Sequence, residues 1–162
     1  MSVALRPYLP GDGPRCAAIF RAAVEEIASE DYSEGQCEAW AARADDAAAF
    51  GQSLAAMLTL VATEDGEVVG FASLKDADHI EMIYVHPEFA AQGVGATLID
   101  ALEKIALSRG AGKLTAEVSD TARPLFDRRQ FVAERRNVRE IDGEWLGNTT
   151  MSKALAAKPT QH

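Results

Sequence analysis

From His79 to Ser108 the chain reads HIEMIYVHPEFAAQGVGATLIDALEKIALS, a strand, a break and a helix in immediate succession. Ile80 to Val85 is apolar and β-branched enough for a buried strand, and Pro87 ends it because proline has no amide to give to a ladder. A helix opens at Gln92-Gly93-Val94-Gly95-Ala96, since Val94, Leu98, Leu102 and Ile105 recur at spacings that share one face. Glycine costs about 0.5–1 kcal/mol relative to alanine inside a helix, so two in the first turn need a cause. The helix start supplies one: its first N–H groups lack partners and carry about half a positive charge, which attracts phosphate. With no Cβ at Gly93 and Gly95, a pyrophosphate would reach those amides. Taken alone, Gly-x-Gly also suits a close-packed loop with glycines for backbone approach.

At 162 residues the chain suffices for one domain that buries about two-thirds of its unfolded surface. Its formal net charge of −9 argues against nucleic acid or an anionic membrane as partner, and favours a cationic small molecule. Cys16 and Cys37 are the only cysteines and have no metal-ligand spacing, so reduced thiols, no metal and a cytoplasmic location are expected. Neither a basic-then-apolar leader nor a bilayer-length apolar run is evident.

The remaining elements follow from periodicity and punctuation. Ser2 to Arg6 alternates as a first strand, and Asp12-Gly13-Pro14 starts a helix whose inward face is Phe20, Val24 and Ile27, up to about Ser29. Ala41 to Ala56 predicts helix with an irregularity near Gly51. Met57 to Thr63 and Glu67 to Lys75 read as strands joined at Asp65-Gly66, a pair suited to the positive φ values of a type I′ turn. Lys113 to Val118 alternates as a strand, and Glu134 to Ile141 with Glu144 to Lys153 makes another hairpin about Asp142-Gly143. The expectation is a single domain over residues 1–157, mixed α/β (α+β), with a mostly antiparallel twisted sheet of about seven strands and about four helices on both faces. A polar tail at 158–162 follows, and an exposed edge near the last hairpin leaves a homodimer open.

The run VHPEFAAQGVGATLIDALEKIA resembles motif A of the GNAT superfamily of N-acetyltransferases, in which a strand ending in Val-x-Pro precedes Gln/Arg-x-x-Gly-x-Gly/Ala. Here the hexapeptide is Ala90-Ala91-Gln92-Gly93-Val94-Gly95; both glycines match, and Ala90 stands where the family prefers Gln or Arg. A second landmark, Asn-x-x-Ala-x-x-x-Tyr on a short helix ending in Gly-Phe, is similar to the segment in which Ser119 takes the Asn position, Ala122 matches, Phe126 takes the Tyr position and Gln130-Phe131 replaces Gly-Phe. The resemblance implies acetyl-CoA as co-substrate, held by Ile83, Tyr84 and Val85, by Ala91, Gln92, Gly93, Val94, Gly95 and Ala96, and by Ser119 and Phe126. It also implies that the helical segment after the first strand selects the acceptor, so Tyr32, Gln36 and Trp40 are candidates to touch it; the two aromatics would equally serve as the buried face of a short helix. Arg123, Arg128 and Arg129 face either the 3′-phosphate of coenzyme A or water.

The implied activity is direct transfer of an acetyl group to a primary amine, without an acyl-enzyme, since no Cys-His pair falls in the motif. Glu81, four residues before Val85, takes the strand position where family members often carry a general base, and a bulge along Ile83 to Val85 would free an amide to polarise the thioester carbonyl. His86 suits the role less, because by alternation it points away from Val85. Phe126 has no proton for a leaving thiolate, so packing a ring along the pantetheine arm is the role left to it. A nucleotide-hydrolysing P-loop is disfavoured because Gly95-Ala96-Thr97 lacks the lysine. A non-catalytic acetyl-CoA-binding sensor or interaction module stands as the alternative, given the polar landmarks missing at Ala90 and Phe126.

Overall fold

A computed structural model describes residues 3–155; the expected polar tail at 158–162 lies outside them. In chain order the described elements are β1 (Ala4–Pro7), α1 (Gly13–Glu26), α2 (Glu34–Ala41), α3 (Ala47–Ala55), β2 (Leu58–Glu64), β3 (Glu67–Lys75), β4 (His79–Val85), α4 (Val94–Ser108), β5 (Lys113–Ser119), α5 (Arg123–Arg128), β6 (Val132–Ile141) and β7 (Glu144–Ala154). The seven strands form one sheet in the order β1-β2-β3-β4-β5-β7-β6, antiparallel throughout except where β4 lies beside β5. Five α-helices stand where about four were expected. One face of the sheet is covered by α1, α2 and α3 over Phe20, Phe50, Leu54 and Phe71. The other is covered by α4 and α5, over Leu98, Ile99, Leu102, Leu114 and Phe126.

Local chemistry accounts for most boundaries. Asp65 and Gly66 both have positive φ, at +51° and +82°, and Asp142 and Gly143 repeat this at +47° and +80°, as the type I′ expectation requires. Pro14 sits in the first turn of α1, where its missing amide costs nothing. The stretch from Ala41 to Ala56 departs from expectation: it is interrupted by a 3-10 turn at Ala42–Ala44, while Gly51 lies inside regular helix. The cause is Asp46, whose carboxylate accepts the Ala49 amide at 3.0 Å and so restarts the helix as an N-cap.

Two irregularities of the sheet build the site. The first is the β4–β5 pair, joined only at His79↔Thr115 and Ile80↔Ala116, although β4 continues to Val85 and β5 to Ser119. Beyond those two rungs the strands part and leave a cleft. The second is a bulge: Met82 opposes Ser73 and Ile80 opposes Leu74, so Glu81 has no partner. The bulge therefore lies at Glu81 and not along Ile83 to Val85, where the ladder to β3 is regular. An extra residue there reverses the alternation. Ile80, Ile83 and Val85 pack on the α4 side, whereas Met82 and Tyr84 pack on the α1 side.

Candidate active site

A groove of about 820 Å³ crosses the sheet through the cleft. On the α1 side it is walled by Ala23, Val24, Ile27 and Trp40, and on the α4 side by Ala91, Gly93, Val94, Gly95, Ala96 and Leu125, with Ile83, Tyr84 and Val85 along its length. Its polar end is the mouth of α4. Gly93 has φ +84°, a left-handed conformation that turns the chain into the helix, and no side chain caps the first turn. The first-turn amides consequently face the groove without partners from the helix. Ala91 is also left-handed, at φ +61°, a local strain held beside those amides.

Gly95 has a packing reason to be glycine beside phosphate access. A Cβ built there would lie 2.8 Å from Leu125 Cδ2, so the missing side chain admits Leu125 of α5 against the mouth of α4. The strand supplies further free donors. His86 donates its N–H to Val69 O at 2.8 Å, and alternation along an antiparallel ladder turns the Ile83 and Val85 amides the opposite way, toward the cleft. At the α5 end, Arg128 and Arg129 line the groove; Arg129 Nη2 stands 3.5 Å from Asp100, and its Nε is buried with no partner among the described residues. An unpaired buried donor of a guanidinium is costly.

On the α1 side the cleft opens into a second hollow, about 110 Å³, sharing Trp40, Ile83, Tyr84, Ser119 and Ala122 with the groove. Glu81 reaches it because the bulge turns it there. Its carboxylate, about one-third exposed (32%), lies 3.7 Å from His79 Nε2, and the other ring nitrogen of His79 is 2.7 Å from Thr115 Oγ1. Arg43, Glu117, Arg139 and Asn148 complete the polar lining, with Arg139 Nη1 3.8 Å from Glu117. Tyr84 stands between both spaces, its ring stacked among Phe20, Trp40 and Phe71. Burial pushes its phenol up to about 12, against the opposing pull of Arg43, so it remains a neutral hydroxyl at physiological pH. Burial likewise pushes the Cys16 thiol up to about 12 and raises that of Cys37, so neither provides a thiolate nucleophile near neutral pH.

The residues singled out from sequence fall unevenly. Ile83, Tyr84, Val85, Ala91, Gly93, Val94, Gly95, Ala96 and Ser119 line the groove. Gln92 is exposed and outside it, donating its amide to Glu88 O at 3.3 Å. Phe126 is a core ring, 2% exposed and packed edge-on against Phe131 with centroids 5.0 Å apart; it borders the small hollow and does not line the groove. Trp40 borders both spaces. Tyr32 borders the hollow with its hydroxyl engaged, donating to Gly147 O at 2.6 Å and accepting the Asp120 amide at 2.9 Å. Gln36 is remote from both: it closes a capping box with Ser33 and donates to Trp145 O at 2.7 Å, because the start of α2 faces β7 and not the cleft. Asn137 and Asn148 bond to each other across the hairpin at 3.0 Å. His86 points away as expected, accepting the Glu88 amide at 3.1 Å. The sequence reading missed Arg43, Arg139 and Leu125 as well as the α1 wall; these reach the cleft through tertiary packing, and no local motif marks them.

The parallel strand pair thus opens mid-sheet, with a bare helix mouth on one side and a carboxylate hollow on the other. A family model described as acetyltransferase (GNAT) domain matches residues 28–155. A relative from Escherichia coli, named uncharacterized N-acetyltransferase YafP, is 34% identical over 150 residues, covering 93% of this chain and 95% of that protein. A crystal structure described as a GCN5-related N-acetyltransferase from Rhodopseudomonas palustris is similar at a TM-score of 0.93 and 55% identity, covering 96% of this chain and 97% of that one. YncA, a putative acetyltransferase from Salmonella typhimurium solved with its cofactor acetyl-CoA, shares the fold at a TM-score of 0.69 and 21% identity, covering 100% and 99%. The chain belongs to the GNAT family of N-acetyltransferases.

Proposed function

We propose that this acyltransferase takes acetyl-CoA in the groove and a primary amine, entering as a small cation, in the hollow behind Glu81. The observation that carries the reading is the continuity of the two spaces across the β4–β5 cleft, with Ile83 and Tyr84 common to both. The residues suit coenzyme A. Unpartnered amides at Gly93 to Ala96 would bind its pyrophosphate, Ala23, Val24, Ile27 and Val85 supply an apolar wall for the pantetheine arm, and the Arg128 and Arg129 side chains that line the groove would add positive charge for a phosphate.

Chemistry at the hollow begins with a proton. An alkylamine with a pKa of about 10.4 is neutral in about one molecule in 2,500 at pH 7, a deficit of about 4.6 kcal/mol. Glu81 takes that proton, directly or through a water, and the freed nitrogen lone pair attacks the thioester carbon. The Ile83 or Val85 amide, turned into the cleft, stabilises the developing negative charge on the carbonyl oxygen. The C–N bond forms, the C–S bond breaks, the attacking nitrogen gives its second proton to water, and the sulfur leaves as thiolate or takes a proton from water, since Phe126 has no hydroxyl and is buried. Release of free thiol from acetyl-CoA against pooled amines tests the reading. Glu81→Gln is expected to lower turnover about 100-fold at pH 7 with coenzyme A affinity retained, and unchanged turnover would remove Glu81 from the mechanism.

A further inference from the structure

The long-range field of a chain of net charge −9 favours cations, yet the small hollow is not acidic. Of its charged lining residues, Glu117 faces Arg139, which leaves Glu81 beside His79, and Arg43. Arg43 makes no ion pair and no hydrogen bond among the described residues. Other arginines show what an unengaged guanidinium here usually finds: Arg6 holds Asp12, Arg21 holds Asp45, and Arg136 holds Asp120. Arg43 instead lies on the 3-10 turn at Ala42–Ala44, half-buried, close enough to the Tyr84 phenol to oppose the upward push on it. The turn that breaks the predicted long helix is what carries this guanidinium into the hollow.

We infer that Arg43 reads an anionic group on the acceptor, so that the favoured acceptor is an amine that also carries a carboxylate, an amino acid, with the amine at Glu81 and the carboxylate at Arg43. The inference rests on the amine-acetylating reading above and replaces its small cation with a zwitterion. Two observations and one point of general chemistry support it together. Glu81 and Arg43 line one hollow but are not paired to each other, so each retains a charge for a ligand of the opposite sign. A guanidinium is a planar fork of donors that matches a carboxylate edge. The hollow, at about 110 Å³, is well below the roughly 300–1,000 Å³ of sites for drug-sized ligands, and so takes the end of a molecule of amino-acid size. Asn148 and the Tyr84 hydroxyl stand in the same wall as neutral hydrogen-bonding groups.

The test compares matched acceptors: amino acids, the same compounds as primary amides, and diamines of equal length, assayed by thiol release from acetyl-CoA. Wild-type enzyme is expected to prefer the carboxylate over its amide by about 10- to 100-fold in kcat/KM, the scale of a charge-assisted hydrogen bond, with the difference mainly in KM. Arg43→Gln is expected to reduce that ratio to about one, Arg43→Lys to recover part of it, and Arg43→Glu to shift preference toward the diamine. Unaltered circular dichroism and thermal melting are expected in all three, because Arg43 holds no other group in the fold. Equal or greater use of amides and diamines by wild type, or a ratio untouched by Arg43→Gln, would overturn the assignment. Should no amine release thiol, the reading of the reaction fails, and calorimetry on protein saturated with coenzyme A decides the present point separately. Amino-acid binding lost in Arg43→Gln supports it, and binding that is equal in both or absent in wild type refutes it.

Discussion

Replacing Gly95 by alanine separates two explanations of the same glycine, one in which it clears a path for phosphate and one in which it makes room for Leu125. The added Cβ would sit 2.8 Å from Leu125 Cδ2, well inside the roughly 3.5–4.0 Å of an optimal carbon–carbon contact. Overpacking of this kind costs about 1–3 kcal/mol, and replacing glycine within a helix returns about 1 kcal/mol, so the net loss in Gly95→Ala is expected to be about 0–2 kcal/mol. Leu125 also lines the groove, and the swing that relieves the clash moves its methyl groups there, so coenzyme A affinity falls as well. In a Leu125→Ala background the clash has no partner. Gly95→Ala should then stabilise the protein by about 0.5–1 kcal/mol, and the sign reverses between backgrounds. Urea denaturation of the four proteins of the cycle, with calorimetric titration of coenzyme A, reads both effects. The same sign in both backgrounds, or coenzyme A binding lost to alanine even when Leu125 is absent, would refute the packing explanation and restore the one based on phosphate access.

Two further expectations concern the scaffold. Tyr32→Phe removes the hydroxyl shared by Gly147 O and the Asp120 amide, which pins the loop before α2 to β7 and to the end of β5; a loss of about 1–3 kcal/mol and faster hydrogen exchange at Asp120 are expected, and unchanged exchange there would show the pin to be idle. Asp12 accepts both terminal nitrogens of Arg6, at 2.8 and 2.9 Å, and the Leu9 amide, and the Arg6 bond chiefly holds its pKa below the ordinary 3.8. A depressed carboxylate contributes stability that is fully present above its unfolded pKa and is lost as the pH falls through the folded value. Wild-type melting temperature should therefore fall more steeply below about pH 4 than that of Asp12→Asn, which should be weaker by about 1 kcal/mol at pH 7, because Arg6 is more than one-third exposed and screened. Parallel melting curves for the two proteins across pH 2–7 would contradict this.

The architecture was legible where signals are local. Two Asp-Gly turns, the proline after Val85 and the apolar stripe of α4 each specify geometry within a few residues, and each stands where sequence reading put it. The groove residues followed, because the helix mouth and the end of β4 are consecutive in the chain. Legibility failed where partners come from far away. Gln36 falls in the segment expected to meet an acceptor, but its amide donates to Trp145 O, 109 residues on. Phe126 matched a family position by spacing, yet its ring belongs to the core with Phe131. The bulge at Glu81 has no mark in the strand itself, since it is a mismatch of count between β3 and β4. Arg43 was hidden by the alanine-rich run around it, which reads as continuous helix until Asp46 is recognised as a restart.

Among the described residues, two rungs fasten the four strands on one side of the cleft to the three on the other. The sheet is thus two plates meeting along a short seam, and relative breathing of the plates is opposed mainly by the helices that span them. A guest wedged in the gap, hydrogen-bonded to the idle Ile83 and Val85 amides, would act as the missing rungs. Occupancy should therefore register far from the guest, as slowed amide exchange along both plates, and the empty protein should be the softer of the two forms.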